Sequence, residues 1–312
     1  MTAVLSTIVF TKNRPMQLHG YLESLFRYFP KDKIQTLIVW KEEKFREQYH
    51  SLFREFPDCR VIREGDFHTD LLQILREVQT PYLLFGVDDV VFFDGVDLGL
   101  IEKAFLSQAK DLFGFSLRLG PDMAKEELEA GAAQKQRVDE QEFYLLDWRR
   151  GKSSHTCYPF ELCATVYPTE RVRHLVECRV NRSKLWSVLF RPNSGLMKKA
   201  GAFLPRRKIY KRFGYFFNPN TFESWACRWC KQHPDEVGPL LAFQKSCATA
   251  IQVNLVNTST RNEWDDCAEL TVEALAEKYR AGWRIDIEAI ARQRPTQTHS
   301  GREFFRLKRS NP

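Results

Sequence analysis

The stretch Tyr82-Leu83-Leu84-Phe85-Gly86-Val87-Asp88-Asp89-Val90-Val91-Phe92-Phe93 constrains the fold more than any other part of the chain. An apolar run rich in β-branched and aromatic residues reads as a buried strand of a parallel sheet. Asp88 and Asp89 interrupt it where the strand would otherwise run on into the core. Burying two unpaired carboxylates side by side costs on the order of several kcal/mol each. A positive group is therefore expected against them. A divalent cation is one solution, since hard oxygen ligands suit Mg2+ or Mn2+, and these ions share their coordination with a substrate's phosphates. An Asp-Asp pair can equally sit hydrogen-bonded or solvated in a turn at the strand's end, so the rest of the chain has to decide.

Around this stretch, strands and helices alternate. Leu5–Phe10 reads as a first strand, ending in the polar turn Thr11-Lys12-Asn13-Arg14-Pro15, whose proline suits the first position of a helix. That helix runs from about Met16 to Tyr28, with Leu18, Leu22, Leu25 and Phe26 on one face, and Pro30 stops it. Thr36–Trp40 is a second strand, Glu43–Phe56 a charged amphipathic helix and Arg60–Ile62 a third strand. A helix then starts near Asp70, with Thr69 or Asp70 as its cap. This order predicts an α/β fold: a mostly parallel sheet with helices on both faces, and ligands beyond the carboxyl ends of the strands. Thr11–Arg14 and Asp88-Asp89 both fall at such ends. Neither G-x-G-x-x-G nor G-x-x-x-x-G-K-[ST] is present, which weakens the dinucleotide and P-loop explanations.

Further along, a helix is expected at about Leu98–Ala109, a strand over Leu112–Gly120 carrying Arg118, and a loose helix or loop over Pro121–Glu142. Tyr144–Trp148 restarts order, Pro159–Pro168 reads as a strand with Glu161 embedded in it, and Thr169–Val176 as a short helix. Asn218-Pro219-Asn220 starts another helix, with Glu223 expected in its first turn, where any Glu complements the dipole. Ala250–Val256 is a late strand and Glu269–Arg280 an amphipathic helix. The last ~20 residues form a basic tail without periodicity, by charge pattern.

Composition fixes the class. The chain has 312 residues, 43% hydrophobic and 28% charged, with 24 Phe and 7 Trp, ordinary for a globular protein. Nothing at the N-terminus resembles a secretory signal, and no window approaches the ~20 apolar residues of a membrane span. The eight scattered cysteines then read as reduced thiols in a cytoplasmic protein. Cys227-x-x-Cys230 with His233 has metal-ligand spacing but no fourth ligand at matching spacing, so small residues on a helix explain it better. Net charge is +7, favouring anionic partners, and Arg206–Arg212 forms a basic patch suited to an anionic membrane or simply to water. No recognition-helix, RNA-binding or zinc-finger pattern points to nucleic acid.

Ser6–Pro15 and Leu84–Val90 together resemble the opening loop and aspartate motif of glycosyltransferases of the GT-A fold, close to the family-2-like group of bacterial sugar transferases. Phe115–Gly120 and Asn218–Glu223 resemble further blocks of that group. The likeness is clearest over residues 4–120 and fainter to about 290. It implies a nucleoside-diphosphate-sugar donor, a UDP-sugar by default, bound by Thr11, Asn13, Arg14, Asp70, Asp88 and Arg118. It also implies an Mn or Mg ion on Asp89 and Asp88, and an inverting transfer to a glycan or lipid-linked acceptor in surface polysaccharide synthesis. The catalytic base falls on Glu223 first, Glu161 second and Asp147 third. The protein is expected in the cytoplasm, with peripheral contact at the inner face of the membrane. Residues 1–120 form the donor half, 121–265 the acceptor half and 266–312 a C-terminal helix and basic tail. The sequence departs from the family in having adjacent aspartates where Asp-x-Asp is usual, which leaves a catalytically silent GT-A-like binding module as an alternative. A sugar-nucleotide pyrophosphorylase is another, although its Gly-rich loop with a lysine is missing.

Overall fold

The computed structural model describes residues 3–107, 112–120, 131–153, 156–177, 216–254 and 267–310. Strands β1 (Leu5–Lys12), β2 (Ile34–Lys41), β3 (Arg60–Arg63) and β4 (Tyr82–Val87) are joined by α1 (Pro15–Tyr28), α2 (Arg46–Glu55) and α3 (Phe67–Glu77). They lie parallel in the order β3-β2-β1-β4, with Ile8 opposite Leu37 on one side and Phe85 on the other. Beyond β4 come β9 (Thr165–Pro168), β6 (Gly114–Ser116), β10 (Leu240–Phe243), β8 (Gln141–Leu146) and β7 (Ala133–Val138), completing a nine-stranded sheet among the described residues. Only β9 and β8 run against the other seven strands.

Both faces of this sheet are covered, as the near-continuous apolar strands require. The period of two sends Val9, Ile38, Trp40 and Leu84 into one core with Leu18, Leu22 and Leu25 of α1. Ile8, Phe10, Leu37, Val39, Leu83 and Phe85 enter the other with Leu71, Ile74 and Leu75 of α3. Helices α4 (Leu98–Ser107), α5 (residues 169–177) and α6 (Pro219–Gln232) follow, then α7 (Val272–Arg280) and α8 (Ile287–Gln293). Asn218 caps α6 by accepting from Thr221 N–H at 2.9 Å, while Thr221 bonds back to the Asn218 backbone.

The structure corrects several expectations. The chain leaves the large sheet at Val87, turns through Asp88-Asp89, and enters a second sheet as β5 (Val90–Phe92), beside β11 (Ala248–Ile251) and β13 (His299–Ser300). Residues 133–146, the first part of which reads as a loose helix or loop, form the β7–β8 hairpin, because Phe143 and Leu146 find buried places at the sheet's far end. The strand expected over Pro159–Pro168 is confined to β9, and that over Leu112–Gly120 to β6. The tail is integral to the fold. His299–Ser300 pairs with β11, and β14 (Leu307–Arg309) pairs with β12 (Trp283–Ile285). Arg206–Arg212 and residues 121–130 lie outside the described residues.

Candidate functional site at the carboxyl edge of the sheet

Strand direction decides which side chains meet. The carboxyl ends of β1, β4 and β6 deliver Thr11–Arg14, Asp88-Asp89 and Arg118 to one edge. Because β9 runs antiparallel to β4 and β6, its start brings Glu161 and Cys163 to that same edge. Asp147 follows β8 and so lies at the opposite edge, paired with Arg149 at 2.6 Å, which removes it from the site.

Arg14 organises the donor side. Its Nη1 donates to Asp88 Oδ1 at 2.9 Å and to Asp89 Oδ2 at 3.1 Å, and its Nη2 donates to the Asn254 carbonyl at 2.5 Å. Gln17 Nε2 holds the Asn254 side chain at 3.2 Å, and Asn254 in turn donates to the Leu270 carbonyl. Asp88 Oδ2 accepts from the Thr11 hydroxyl at 2.9 Å and the Lys12 N–H at 3.3 Å. Tyr49 completes a chain of bonds. Arg14 N–H donates to its hydroxyl at 2.9 Å, and that hydroxyl lies 2.8 Å from Thr11 Oγ1, which already donates to Asp88. The positive charge that the aspartate pair demands is thus present as a guanidinium. Burial and the charge of Asp89 push the Asp88 carboxyl up to about 6, against the pull of Arg14.

A divalent cation can be tested against this donor set. Three bonds engage the two Asp88 oxygens, and the side chain is buried. Asp89 keeps 14% of its side chain exposed, and its Oδ1 accepts no bond from the described residues. One such carboxylate fits an ion of the Mg2+ or Mn2+ type that takes its other ligands from phosphates and water. Arg14 stands where such an ion's charge would act. No group of three or more His, Cys, Asp and Glu that could hold a metal occurs among the described residues.

On the other side, Arg118 is buried and ion-paired through Nη2 with Glu161, which also accepts from the Thr165 hydroxyl. Arg118 Nη1 donates to the Thr298 carbonyl at 3.2 Å. The Nε atoms of Arg14 and Arg118 are both buried and have no partner among the described residues. Glu223 lies past the first turn of α6, where Asn218 and Thr221 already supply the cap, so dipole complementation does not explain it. Its Oε1 accepts from Leu162 N–H at 3.0 Å, and burial raises its carboxyl above the ordinary glutamate range against Arg118 and that bond. Burial pushes the Cys163 thiol up to about 12 against the nearby charge of Arg118, and the Leu162 bond brings Glu223 to the same edge as Glu161.

Two predicted residues have other duties. Asn13, at φ 58°, clasps the next loop by donating to Glu43 at 3.3 Å and accepting from Lys44 N–H at 3.0 Å. Asp70 Oδ2 accepts from Gly65 and Asp66 N–H at 2.8 and 3.0 Å, and the cap of α3 is Asp66 rather than Thr69 or Asp70. Tyr49, Gln17 and Asn254 were not legible as site residues. Tyr49 reads only as the apolar stripe of a helix, and Asn254 meets Arg14 across 240 residues. Cys227 and Cys230 are buried on α6, as small helix residues should be.

In open α/β sheets ligands bind beyond the carboxyl ends of the strands, which is where these polar groups gather. Comparison narrows the class. No protein-family model matches the chain. Over 185 residues it is 25% identical to the bifunctional glycosyltransferase pgtA of Dictyostelium discoideum, a match covering 51% of this chain and 23% of that protein. The chain therefore spans under a quarter of the length of this curated relative. Among solved structures, it is similar to S. aureus TarS 1-349 in complex with UDP-GlcNAc, at 14% identity over 85% of this chain and 64% of that one, TM-score 0.44. It is also similar to the mannosyltransferase PcManGT from Pyrobaculum calidifontis in complex with GDP-Man and Mn2+, at 13% identity over 57% and 47%, TM-score 0.36. The chain resembles glycosyltransferases, in keeping with its Ser6–Pro15 and Leu84–Val90 motifs.

Proposed function

We propose that the chain is a glycosyltransferase that moves a sugar from a nucleoside-diphosphate sugar, a UDP-sugar first, to a hydroxyl of a glycan or lipid-linked acceptor, with inversion, in surface polysaccharide synthesis. The observation that carries this reading is the pair of buried arginines with unpartnered Nε donors at the sheet edge that Glu223 reaches through its bond from Leu162 N–H. Orphaned guanidinium donors suit phosphate oxygens, which take charge-assisted bonds from a planar fork. In the transfer, the acceptor oxygen bonds to the anomeric carbon as the bond from that carbon to the diphosphate breaks. The electron pair leaves with the diphosphate, and the acceptor's proton passes to the Glu223 carboxylate. A carboxyl raised by burial is a better base near neutrality than an ordinary one. Glu161, tied to Arg118 and Thr165, serves as a positioning residue that holds Arg118. A divalent cation on Asp89 supplies further charge to the leaving group when bound.

Residues 1–120 form the donor half in this reading, residues 121–265 the acceptor half, and residues 266–312 a C-terminal helix and basic tail, whose Thr298 carbonyl holds Arg118. No helix among the described residues is long and apolar enough to cross a membrane. Contact with the inner face of a membrane rests on the basic stretch Arg206–Arg212. A GT-A-like module that binds without turnover is the second reading, favoured by the hold of Arg14 on both aspartates. A thermal-shift panel of UDP, GDP, CDP, ADP and TDP, followed by donor turnover, tests both. One nucleotide at a hundredfold excess over its dissociation constant should stabilise the fold by about 2.7 kcal/mol. No shift with any of them sinks the donor site, whereas binding without turnover selects the second reading.

A further inference from the structure

Four carboxylates, Asp88, Asp89, Glu161 and Glu223, share this edge with two guanidinium groups, Arg14 and Arg118. Among these described groups the carboxylates outnumber the guanidinium groups, a balance that favours a diphosphate arriving with a cation. Yet Arg14 occupies Asp89, the more exposed of the two aspartates and the one whose Oδ1 accepts no bond from the described residues. Its two contacts are unequal. Asp88 is buried and also held by Thr11 and Lys12, while Asp89 is bound at 3.1 Å and is more exposed, at 14% against 5% for Asp88.

A guanidinium carries five N–H donors. Arg14 uses two on the aspartates and one on Asn254, which leaves the Nε–H and one Nη2–H. These two nitrogens form one edge of the fork, the shape that takes two phosphate oxygens. We propose that Arg14 gates the cation site, so that a divalent ion binds Asp89 only when a nucleoside diphosphate draws the guanidinium off that carboxylate. Metal and nucleotide then enter as a coupled pair, and the empty site is held closed to metal by its own arginine. This rests on the reading above that the pocket takes a nucleoside diphosphate.

The test is Mn2+ binding to the full chain, followed by the electron paramagnetic resonance signal of free Mn2+, with and without the nucleotide that gives a thermal shift. In the wild-type chain the nucleotide should tighten Mn2+ at least tenfold, and Mn2+ should tighten the nucleotide by the same factor. Arg14→Met should tighten Mn2+ in the absence of nucleotide at least tenfold and shrink the coupling to within threefold. Arg14→Lys keeps the charge without the fork and serves where the Met variant fails to fold; it should move both quantities the same way. Asp89→Asn should abolish Mn2+ binding and, by freeing Arg14, tighten rather than weaken metal-free nucleotide binding. Mn2+ that binds the wild-type chain equally well without nucleotide overturns the gate, as does nucleotide-free Mn2+ affinity unchanged in a folded Arg14 variant. Nucleotide binding with no Mn2+ binding under any condition also overturns the gate while the donor site stands. No nucleotide binding at all overturns the donor site and the gate with it.

Discussion

Tyr49→Phe deletes one oxygen atom, and the structure says what that atom does. The hydroxyl is fully buried, accepts from Arg14 N–H at 2.9 Å and lies 2.8 Å from Thr11 Oγ1, which itself donates to Asp88. Its removal leaves the Arg14 amide buried without a partner, which costs about 1–3 kcal/mol, and forfeits the bond to Thr11, worth about 1 kcal/mol. The expected loss is therefore roughly 2–4 kcal/mol. At roughly 2–4 °C per kcal/mol for a large domain, the melting temperature should fall by roughly 4–16 °C. Urea denaturation of wild type, Tyr49→Phe, Thr11→Val and the double variant gives the stability change and the coupling between the two hydroxyls. Groups in one hydrogen-bond network should couple by about 0.5–3 kcal/mol. A Tyr49→Phe change within about 0.5 kcal/mol of wild type, or strict additivity with Thr11→Val, would refute the chain of bonds that fixes the Thr11–Arg14 loop.

Glu223→Gln should lower kcat by about 10²–10⁴-fold with nucleotide binding unchanged, as removal of a general base does. Because the Glu223 carboxyl is raised and must be ionised to act, activity should fall as pH drops through that raised value, above the ordinary glutamate range, and the acid limb of kcat/KM should vanish in the Gln variant. Ala164 sits between β4 and β6 at φ 72°, so Ala164→Gly should stabilise by up to about 1 kcal/mol in urea denaturation, where the same exchange in regular structure destabilises. Gly86→Ala should cost about 1–3 kcal/mol by overpacking, since its new Cβ would stand 2.3 Å from the Tyr21 hydroxyl oxygen and 2.5 Å from its ring. An unchanged urea midpoint there would show that Tyr21 can move aside.

The first half of the fold was legible because its elements are long and their periods clean. The strand Leu5–Phe10, the helix opened by Pro15 and the run Tyr82–Val87 each announce their class within their own residues, and each forms where expected. The failures share a cause. The β7–β8 hairpin, the short strands β6 and β9 and the paired tail contain three to six residues apiece, or two in β13, and draw their stability from neighbours distant in sequence. Leu307–Arg309 is a strand because Trp283–Ile285 lies beside it, and nothing within LKR says so. Local pattern cannot report a partner that only the folded chain supplies.

The site divides along the same line. Asp88-Asp89 stood out because charge inside an apolar strand needs a reason, and Arg14 stood out as the basic residue of the loop expected at the same edge. What the sequence could not pair was the one with the other. A carboxylate pair asks for positive charge, and a metal ion and a guanidinium satisfy that demand equally well until geometry chooses. Here β1 and β4 are neighbours in register, Phe10 against Val87, so the residues just past each strand must meet. The loop then places a buried guanidinium on both aspartates, and Asn254, itself held by Gln17 of α1, locks it from far along the chain. The antiparallel course of β9 does the same for Glu161 and Arg118. A strand running with its neighbours would have carried Glu161 to the opposite edge, with Asp147, and left Arg118 buried without a counter-charge. The reversal of one short strand, invisible to hydrophobic pattern, is therefore what brings Glu161 to Arg118 and, through Leu162, Glu223 to the edge where Arg14 already stands.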